Sequence, residues 1–247
     1  KNKKSKMSIP CFIIARDRVT CLKEMVAYLN QPQTGCLPII MDNNSSNPEL
    51  IAYYDTNPCI VHRLTANYGN CSPLFNTPHC IEGHIKPDFL NEYDCKNGYI
   101  LTDCDLKIDH IRTNFLDTFR EGLNRYSWAT KIGFQLRIHD LPDTDIGREA
   151  RGWENGNHAP HAYLDGTNFI RAAIDTTFAM YRWIDPPNTA LAHDFDKSIR
   201  CADLEAIHLG WYYSENNPPP PDELYYLKNI NHDGFTHYSK MTKTKFT

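Results

Sequence analysis

Two aspartates, Asp103 and Asp105, follow an apolar run of the sequence and are separated by one residue. The run 99–101 has the composition of a buried strand, and the chain becomes apolar again after the second aspartate. Two carboxylates this close repel each other unless a cation lies between them. Oxygen ligands suit a hard divalent ion such as Mg²⁺ or Mn²⁺, which also binds phosphate oxygens and water. The alternative is a solvated turn in which both acids cap backbone groups.

Three further stretches place polar side chains where apolar runs end. Asp42 opens the polar stretch 42–46 after a second apolar run, and Asn67 and Gly69 follow a third. His208 follows an apolar run much later in the chain, where its ring nitrogen could bind the same ion. Ligands of open α/β sheets bind at the carboxyl ends of the strands. We therefore expect these side chains to share one edge of a sheet with the aspartate pair, whose members should both point to one side of it because strand side chains alternate.

The elements that must position these residues alternate between strand-like and helix-like patterns. Residues 9–15 form a near-continuous apolar run, which is typical of a strand buried on both faces. Residues 18–31 have apolar side chains at helical spacing, with Thr20 as the expected N-cap. Such alternation predicts a doubly wound α/β sheet. The other elements predicted here are a strand from 35 with a polar loop to 46, a helix at 48–56 beginning with Pro48, strands at 60–67 and 99–105, and a helix at 114–126.

The second half of the chain has a less regular pattern. Strands are predicted at 128–141 and in part of 168–183. Residues 142–166 are rich in glycine, asparagine and charge, and we expect an irregular, functional loop there. Four successive prolines at 218–221 predict an extended, helix-free segment. The predicted layout is a basic extension at 1–8, one α/β domain at 9–213, and a Pro-rich segment with a basic tail at 214–247.

Composition argues against several classes of protein. A net charge of −4 at pH 7 over 247 residues argues against a nucleic-acid or anionic-membrane partner. No run approaches the roughly 18 apolar residues of a membrane span, and no signal peptide is recognisable at the start. The nine cysteines are scattered without a CxxC pair, which argues against a secreted disulfide scaffold and a Cys₄ zinc module. These features predict a cytoplasmic protein.

Several of these stretches together resemble a known family. The chain is similar to the family-2-like glycosyltransferases of GT-A fold over roughly residues 9 to 213, and in particular to a small set found in bacteria and large DNA viruses. The resemblance implies a Rossmann-like, mixed and mostly parallel sheet flanked by helices, in a single domain. If the chain is viral, the expected location is the host cytoplasm or the virion. The stretches that match are IPCFIIARDR, IIMDNNSS, LTANYGN, YILTDCDL, KIGFQLRIHDLPD, IDTTFAMYR and AIHLGWY.

The resemblance implies a set of contacts to a nucleotide-sugar donor. The donor base and ribose would be bound by Ala15, Arg16 and Asp42, with Asn67 nearby. Asp103 would bind the ribose or the metal ion. UDP is the expected nucleotide, because it is the commonest carrier among metal-dependent members of this fold.

The resemblance also implies a metal-dependent activity. Asp105 would bind Mn²⁺ or Mg²⁺, with His208 as a further ligand. Residues 9–110 would form the nucleotide-binding half and residues 111–213 the acceptor half. The implied reaction transfers a hexosyl or deoxyhexosyl group to a glycan or protein-linked acceptor.

The catalytic base is less well defined by the sequence. An inverting enzyme needs a carboxylate that accepts the proton of the acceptor hydroxyl. The candidates, in order, are Asp175, Glu154 and Asp140. Asp175 opens the strand that runs under the donor sugar in the GT-A fold, and Glu154 lies beside Trp153, whose ring could stack on a sugar. An inverting mechanism is favoured, and a retaining one stays open.

Other classes of protein share parts of the pattern. A haloacid-dehalogenase-type phosphatase also has a strand ending in two such aspartates, but usually has Thr or Val where this chain has Lys107. A catalytically silent sugar- or nucleotide-binding module would keep the same residues. A nucleotidyltransferase would have a Gly-rich loop after the first strand, but residues 15–21, which follow that strand here, contain no glycine. The HxxH pair at 158–161 predicts a loop rather than a zinc site, because Pro160 prevents a regular helix.

Overall fold

The computed structural model of the protein describes residues 8–69, 93–157, 162–175, 177–183, 195–230 and 245–246. Within these ranges the chain forms one ten-stranded sheet, ordered β3-β2-β1-β4-β9-β6-β10-β8-β7, with β5 paired to β10. The strands are β1 (Ile9–Ala15), β2 (Cys36–Asp42), β3 (Ile60–Arg63), β4 (Tyr99–Asp103), β5 (Leu106–Lys107), β6 (Lys131–Leu136), β7 (Ala162–Tyr163), β8 (Phe169–Arg171), β9 (Ala179–Tyr181) and β10 (Ser198–His208). The α-helices are α1 (Val19–Leu29), α2 (Pro48–Thr56), α3 (Phe115–Arg125), α4 (Asp145–Asn157) and α5 (Pro221–Asn229).

Most of the central strands run in the same direction. Strands β1 to β4 are mutually parallel, and β6 is parallel to β10. Strand β9 lies between β4 and β6 and is antiparallel to both, so β6 and β10 run in the direction of β4. The carboxyl ends of β1, β2, β4 and β10 therefore lie along one edge of the sheet. The predicted fold class, a mixed and mostly parallel sheet flanked by helices in one domain, is confirmed.

Apolar clusters cover both faces of the sheet. All seven residues of β1 are buried, as expected for a strand covered on both sides. Its side chains alternate between the faces: Ile13 packs in a large cluster with α1 and α3, whereas Phe12 packs in a second cluster with Tyr99 and Tyr181. This two-sided burial fixes the strand register, because a one-residue slip would exchange the two faces.

The first two helices differ in how their N-termini are capped. Helix α2 begins with Pro48, as predicted, and the side chain of Asn47 accepts a hydrogen bond from the backbone N–H of Glu49. The prediction that Thr20 caps α1 was wrong. Thr20 lies inside α1, and its backbone N–H and hydroxyl donate to Asp222 of α5 at 2.7 and 2.9 Å. A carboxylate from a distant segment thus satisfies the amino terminus of α1.

The prediction that residues 142–166 form an irregular loop was wrong for its largest part. Helix α4 occupies Asp145–Asn157, and Thr144 accepts a hydrogen bond from the N–H of Gly147 at 3.0 Å. The buried side of the helix is formed by Ile146, Ala150 and Glu154, which are spaced four residues apart. Only two of these three residues are apolar and the third is acidic, so the apolar periodicity is weak.

The prediction that the chain is helix-free at 218–221 was wrong at its last residue. Pro221 is the first residue of α5, a position where proline costs no hydrogen bond. The new helix lies against the loop that follows β2, where the hydroxyl oxygens of Tyr225 and Ser46 are 3.2 Å apart. Residues 221–229 therefore pack on residues 9–110, the half for which the resemblance implies nucleotide binding.

Several predictions concern residues that the structure does not describe, namely the HxxH pair at 158–161, residues 70–92 of the segment before β4, and the basic stretches at 1–7 and 231–244. Within the described residues, the cysteines 11, 21, 36, 59, 95, 104 and 201 form no disulfide. Among the same residues, no helix combines the length and apolar character that crossing a bilayer requires.

Candidate active site

The pairing of β5 with β10 brings Asp105 next to His208. Strand β5 starts immediately after Asp105, and its first residue, Leu106, pairs with His208. The backbone N–H of Leu209 also donates to the carbonyl of Asp105 at 2.9 Å. As a result, Nε2 of His208 lies 3.8 Å from Oδ2 of Asp105. Two residues about a hundred positions apart in the sequence thus meet at the carboxyl-end edge of the sheet.

The carboxylate of Asp105 is buried among positively charged and polarisable groups. Nη1 of Arg18 lies 3.6 Å from Oδ2, and the His208 ring stacks on Trp211 with centroids 4.6 Å apart. Burial acts to raise the pKa of Asp105, but His208 and Arg18 outweigh it and hold this pKa below its ordinary value. Oδ1 has no hydrogen-bond partner within the described part of the chain. A buried polar atom without a partner needs an explanation, and a bound ion or water molecule is one of them.

The residues fit a divalent ion only in part. Asp105 and His208 could provide one oxygen and one nitrogen ligand to such an ion. Asp103 ends β4 and is half-buried, and within the described residues no three His, Cys, Asp or Glu side chains form a group that could hold a metal ion. Strand β4 ends at Asp103, so Asp105 lies beyond the strand and regular strand alternation does not decide on which side it lies. A two-residue site is still adequate when a diphosphate and water complete the shell.

The loops after β1 and β2 are fastened to each other by Asp17, which the sequence analysis did not single out. Asp17 is buried with φ of 58°, a conformation that non-glycine residues seldom adopt. Its Oδ1 accepts hydrogen bonds from the N–H groups of Ser46 and Asn47 at 2.6 and 2.8 Å. In the sequence, a lone acid between two arginines gives no indication of this role. The strained residue keeps the ends of two neighbouring strands in a fixed relation.

Two of the predicted donor contacts at strand ends are buried. Ala15 is the last residue of β1 and is fully buried, and its carbonyl accepts the N–H of Asn43. Asp42 is 1% exposed, and its carboxylate accepts the hydroxyl of Tyr54 at 3.0 Å. Nε of Arg63 lies 3.7 Å from the other carboxylate oxygen of Asp42. The carboxylate of Asp42 therefore binds neighbouring protein groups.

The other two predicted contacts lie nearer the surface. Arg16 is partly exposed and donates from Nη1 to the carbonyl of Asn43 at 2.9 Å. Asn67 is exposed, and its side chain accepts the N–H of Gly69. Asn43 was not among the predicted contacts. It joins the loop after β2 to the loop after β3, because its Nδ2 donates to the carbonyl of Gly69 at 2.7 Å. These contacts place Arg16 and Asn67 at adjacent loops of the same edge.

Asp175, the first of the three candidate bases, is exposed and precedes β9. Strand β9 begins opposite Leu101, so the chain enters it from the edge where β4 ends. Two buried cations hold the backbone just before Asp175. Nε of Arg200 donates to the carbonyl of Ala173 at 2.8 Å, and Nζ of Lys131 donates to that of Ile174 at 2.6 Å. The acid is thus exposed on a segment that is firmly anchored.

The other two candidate bases are bound by cations. Glu154 was expected to lie in an irregular loop. It is instead buried on α4, with its Oε2 2.6 Å from Nη1 of Arg200. Asp140 is exposed and contacts Arg137 and the hydroxyl of Tyr212, each at 2.7 Å. Its slight burial favours a higher pKa, but Tyr212 and Arg137 hold the pKa of Asp140 below its ordinary value. Both arrangements weaken a carboxylate as a proton acceptor.

Cys104 lies between the two aspartates and faces the core. It is 2% exposed, and its Sγ is 3.9 Å from Sγ of Cys21 in α1. We expect the variant Cys104→Ser to keep metal-dependent nucleotide binding, since the side chain of Cys104 packs in the core against Cys21. Burying the hydroxyl should lower the free energy of unfolding by about 1–3 kcal/mol. Urea denaturation and nucleotide titration of the same preparation would check both statements, and a folded variant without nucleotide binding would contradict the placement of Cys104.

Comparison with known proteins gives distant structural likenesses. No family model matches the sequence, and no curated protein matches it. One similar solved structure is the mannosyltransferase PcManGT from Pyrobaculum calidifontis in complex with GDP-Man and Mn²⁺, with a TM-score of 0.48 and 9% identity over 89% of this chain and 60% of that one. Another is described as a mycobacterial protein, with a TM-score of 0.42 and 10% identity over 98% of this chain and 76% of that one. The chain therefore spans about 60% of the mannosyltransferase, and both likenesses are too distant to support a function.

Proposed function

We propose that this chain is a GT-A glycosyltransferase of the family-2-like kind. It uses Mn²⁺ or Mg²⁺ to transfer a hexosyl or deoxyhexosyl group from a UDP-sugar to a glycan or protein-linked acceptor. The main supporting observation is Asp105, a buried carboxylate with an unsatisfied oxygen, which lies beside His208 at the carboxyl-end edge of the sheet. Ligands of open α/β sheets bind at this edge. The mixed, mostly parallel sheet is the one that the family resemblance implies.

The residues at this edge suit a reaction that separates charge. Cleavage of the bond between the sugar and the diphosphate places negative charge on the leaving group. A divalent ion held by Asp105 and His208 would act as a Lewis acid on that group, an effect of several kcal/mol. The chain itself must then orient the donor, exclude water from the sugar and accept the acceptor proton. The interlocked loops after β1, β2 and β3 supply a fixed frame for the nucleotide, with Arg16, Asn67 and Asp103 as proposed contacts.

We assign the role of catalytic base to Asp175 in an inverting mechanism. Its carboxylate is exposed, and its backbone is anchored by Lys131 and Arg200, so it can meet an acceptor hydroxyl without first moving. Glu154 and Asp140 are less suitable because each is already bound by an arginine.

A donor-cleavage panel tests the proposal. The full chain would be incubated with UDP-, GDP-, CDP-, ADP- and dTDP-sugars, with Mn²⁺ or with EDTA, and release of nucleoside diphosphate would be measured. We expect release from one nucleotide class, dependent on the metal and lost in Asp105→Asn. Metal-dependent nucleotide binding, without release of nucleoside diphosphate from any donor with any acceptor, would favour a silent binding module. Release of inorganic phosphate from p-nitrophenyl phosphate, with no nucleotide binding, would favour the phosphatase and overturn the proposal.

A further inference from the structure

Helix α5 contributes a buried carboxylate to the surroundings of Asp105. Glu223 is 3% exposed and accepts hydrogen bonds from Nε and Nη2 of Arg18 at 2.5 and 3.0 Å. Tyr226, on the same helix, covers the guanidinium, with its ring centroid 3.6 Å from Cζ. One edge and one face of the Arg18 guanidinium are therefore bound by α5.

The remaining nitrogen of the guanidinium faces the proposed metal ligand. Nη1 of Arg18 is 3.6 Å from Oδ2 of Asp105, beyond the roughly 3.2 Å of a direct hydrogen bond. Arginine and a carboxylate usually form a closer, two-point contact when nothing restrains them. Here Glu223 takes that two-point contact, and Arg18 is held just short of Asp105. Oδ1 of Asp105 is left without a partner in the described residues.

We infer that Glu223 is a positioning residue, which holds Arg18 off Asp105 and so keeps this carboxylate available to a divalent ion. The inference rests on the proposed function, because it takes Asp105 to be a metal ligand. Glu223 acts in two ways. It fixes the guanidinium by its far edge, and its negative charge offsets the repulsion that Arg18 exerts on an incoming cation. Without Glu223, Arg18 would close on Asp105 and compete with the ion for it.

The test is Mn²⁺ binding to the full chain, with no nucleotide or acceptor present, measured by calorimetry and by the electron paramagnetic resonance signal of free Mn²⁺. Loss of a residue that orients a metal ligand typically costs 10–100-fold in metal affinity. We therefore expect Glu223→Gln to bind Mn²⁺ roughly 10–100-fold more weakly than the wild type. The matched control is Asp222→Asn, because Asp222 is also buried on α5 but contacts Thr20 rather than Arg18. Its Mn²⁺ affinity should equal that of the wild type.

A double variant separates positioning from a merely structural role. If Glu223 acts by restraining Arg18, then Arg18→Gln combined with Glu223→Gln removes the competitor and should restore the affinity for Mn²⁺ to the wild-type value. A structural role predicts the opposite, since the double variant loses more of the α5 contact than the single one does. The double variant removes the buried Arg18–Glu223 pair as a whole and leaves His208 beside Asp105, so it remains informative if Glu223→Gln alone fails to fold.

The outcomes distinguish this inference from the proposed function. If the wild type binds Mn²⁺ and Asp105→Asn does not, but Glu223→Gln binds like the wild type, the positioning role is overturned and the metal site stands. A double variant that binds more weakly than Glu223→Gln also overturns the positioning role. The wild type and the variants would also be measured with a nucleoside diphosphate present, because a two-residue site needs phosphate oxygens to complete the shell. If the wild type binds no Mn²⁺ in either condition, the metal site of the proposed function is overturned, and the inference with it.

Discussion

Replacing Asp105 by asparagine should lower the turnover rate about 10²–10⁴-fold, because losing a metal contact removes roughly 3–5 kcal/mol of transition-state stabilisation. Asn keeps the size of the side chain but not the charge that His208 and Arg18 surround. The rate would be measured as release of nucleoside diphosphate at saturating donor and Mn²⁺. Circular dichroism and thermal melting would establish that the variant is folded.

The control for this variant is Asp109→Asn, four residues further along the chain. Asp109 is exposed and pairs only loosely with Lys107 and His110, at 3.8 Å each. Surface pairs of this kind contribute little, so turnover should be unchanged. An Asp105→Asn enzyme as fast as the Asp109→Asn enzyme would remove Asp105 from the reaction.

Replacing Arg200 by methionine should lower the free energy of unfolding by about 3–5 kcal/mol, because it leaves Glu154 buried without its counter-charge. Both side chains are almost fully buried, at 2% and 4% exposure, and Arg200 also supports the carbonyl of Ala173. For a chain of this size such a change corresponds to a melting temperature lower by roughly 6–20 °C. Urea denaturation and thermal melting would measure it. The exposed Arg148, which pairs with Asp143 and Asp145, provides the control Arg148→Met, for which little change is expected.

The matching variant Glu154→Gln separates a structural acid from a catalytic one. If Glu154 balances the charge of Arg200, its removal should destabilise the fold, because Arg200 would be left as a buried cation without its carboxylate. If Glu154 were the base instead, the variant would be as stable as the wild type and would lose turnover. That second pattern would contradict the assignment of the base to Asp175.

The first half of the sheet was predictable from the sequence because β1, β2 and β4 are largely buried and show in the apolar pattern. No strand was predicted for β10, the longest one, or for β5 and β7, which have two residues each. The run 9–15 and the helix after it have the bounds expected to within two residues. Helix α4 was missed because its buried side includes the acid Glu154 and only two apolar residues, Ile146 and Ala150. A helix that buries an ion pair does not show the apolar periodicity on which such predictions depend.

The candidate site was predictable only in part. Asp105 and His208 were expected to meet because each follows an apolar run, and β5 pairs with β10 as such a meeting requires. The contact between Arg18 and Glu223 joins residues 205 positions apart, and nothing in the local sequence around either indicates the other. Asp103 is the last residue of β4 and Asp105 lies beyond it, so the regular alternation assumed for the pair extends only to the first aspartate. Among the described residues, no group of three side chains that could hold a metal ion includes Asp103.

The most direct test of whether this chain binds a nucleoside diphosphate through a metal ion is a thermal-shift panel. UDP, GDP, CDP, ADP and dTDP would each be tested with and without Mn²⁺ on the wild type and on Asp103→Ala/Asp105→Ala. A ligand present at about a hundred times its Kd stabilises the fold by about 2.7 kcal/mol, which is a shift of several degrees. We expect that one nucleotide, UDP, raises the melting temperature only with Mn²⁺, and that the double variant loses the shift. A wild type that no nucleotide stabilises, with or without Mn²⁺, would contradict this expectation.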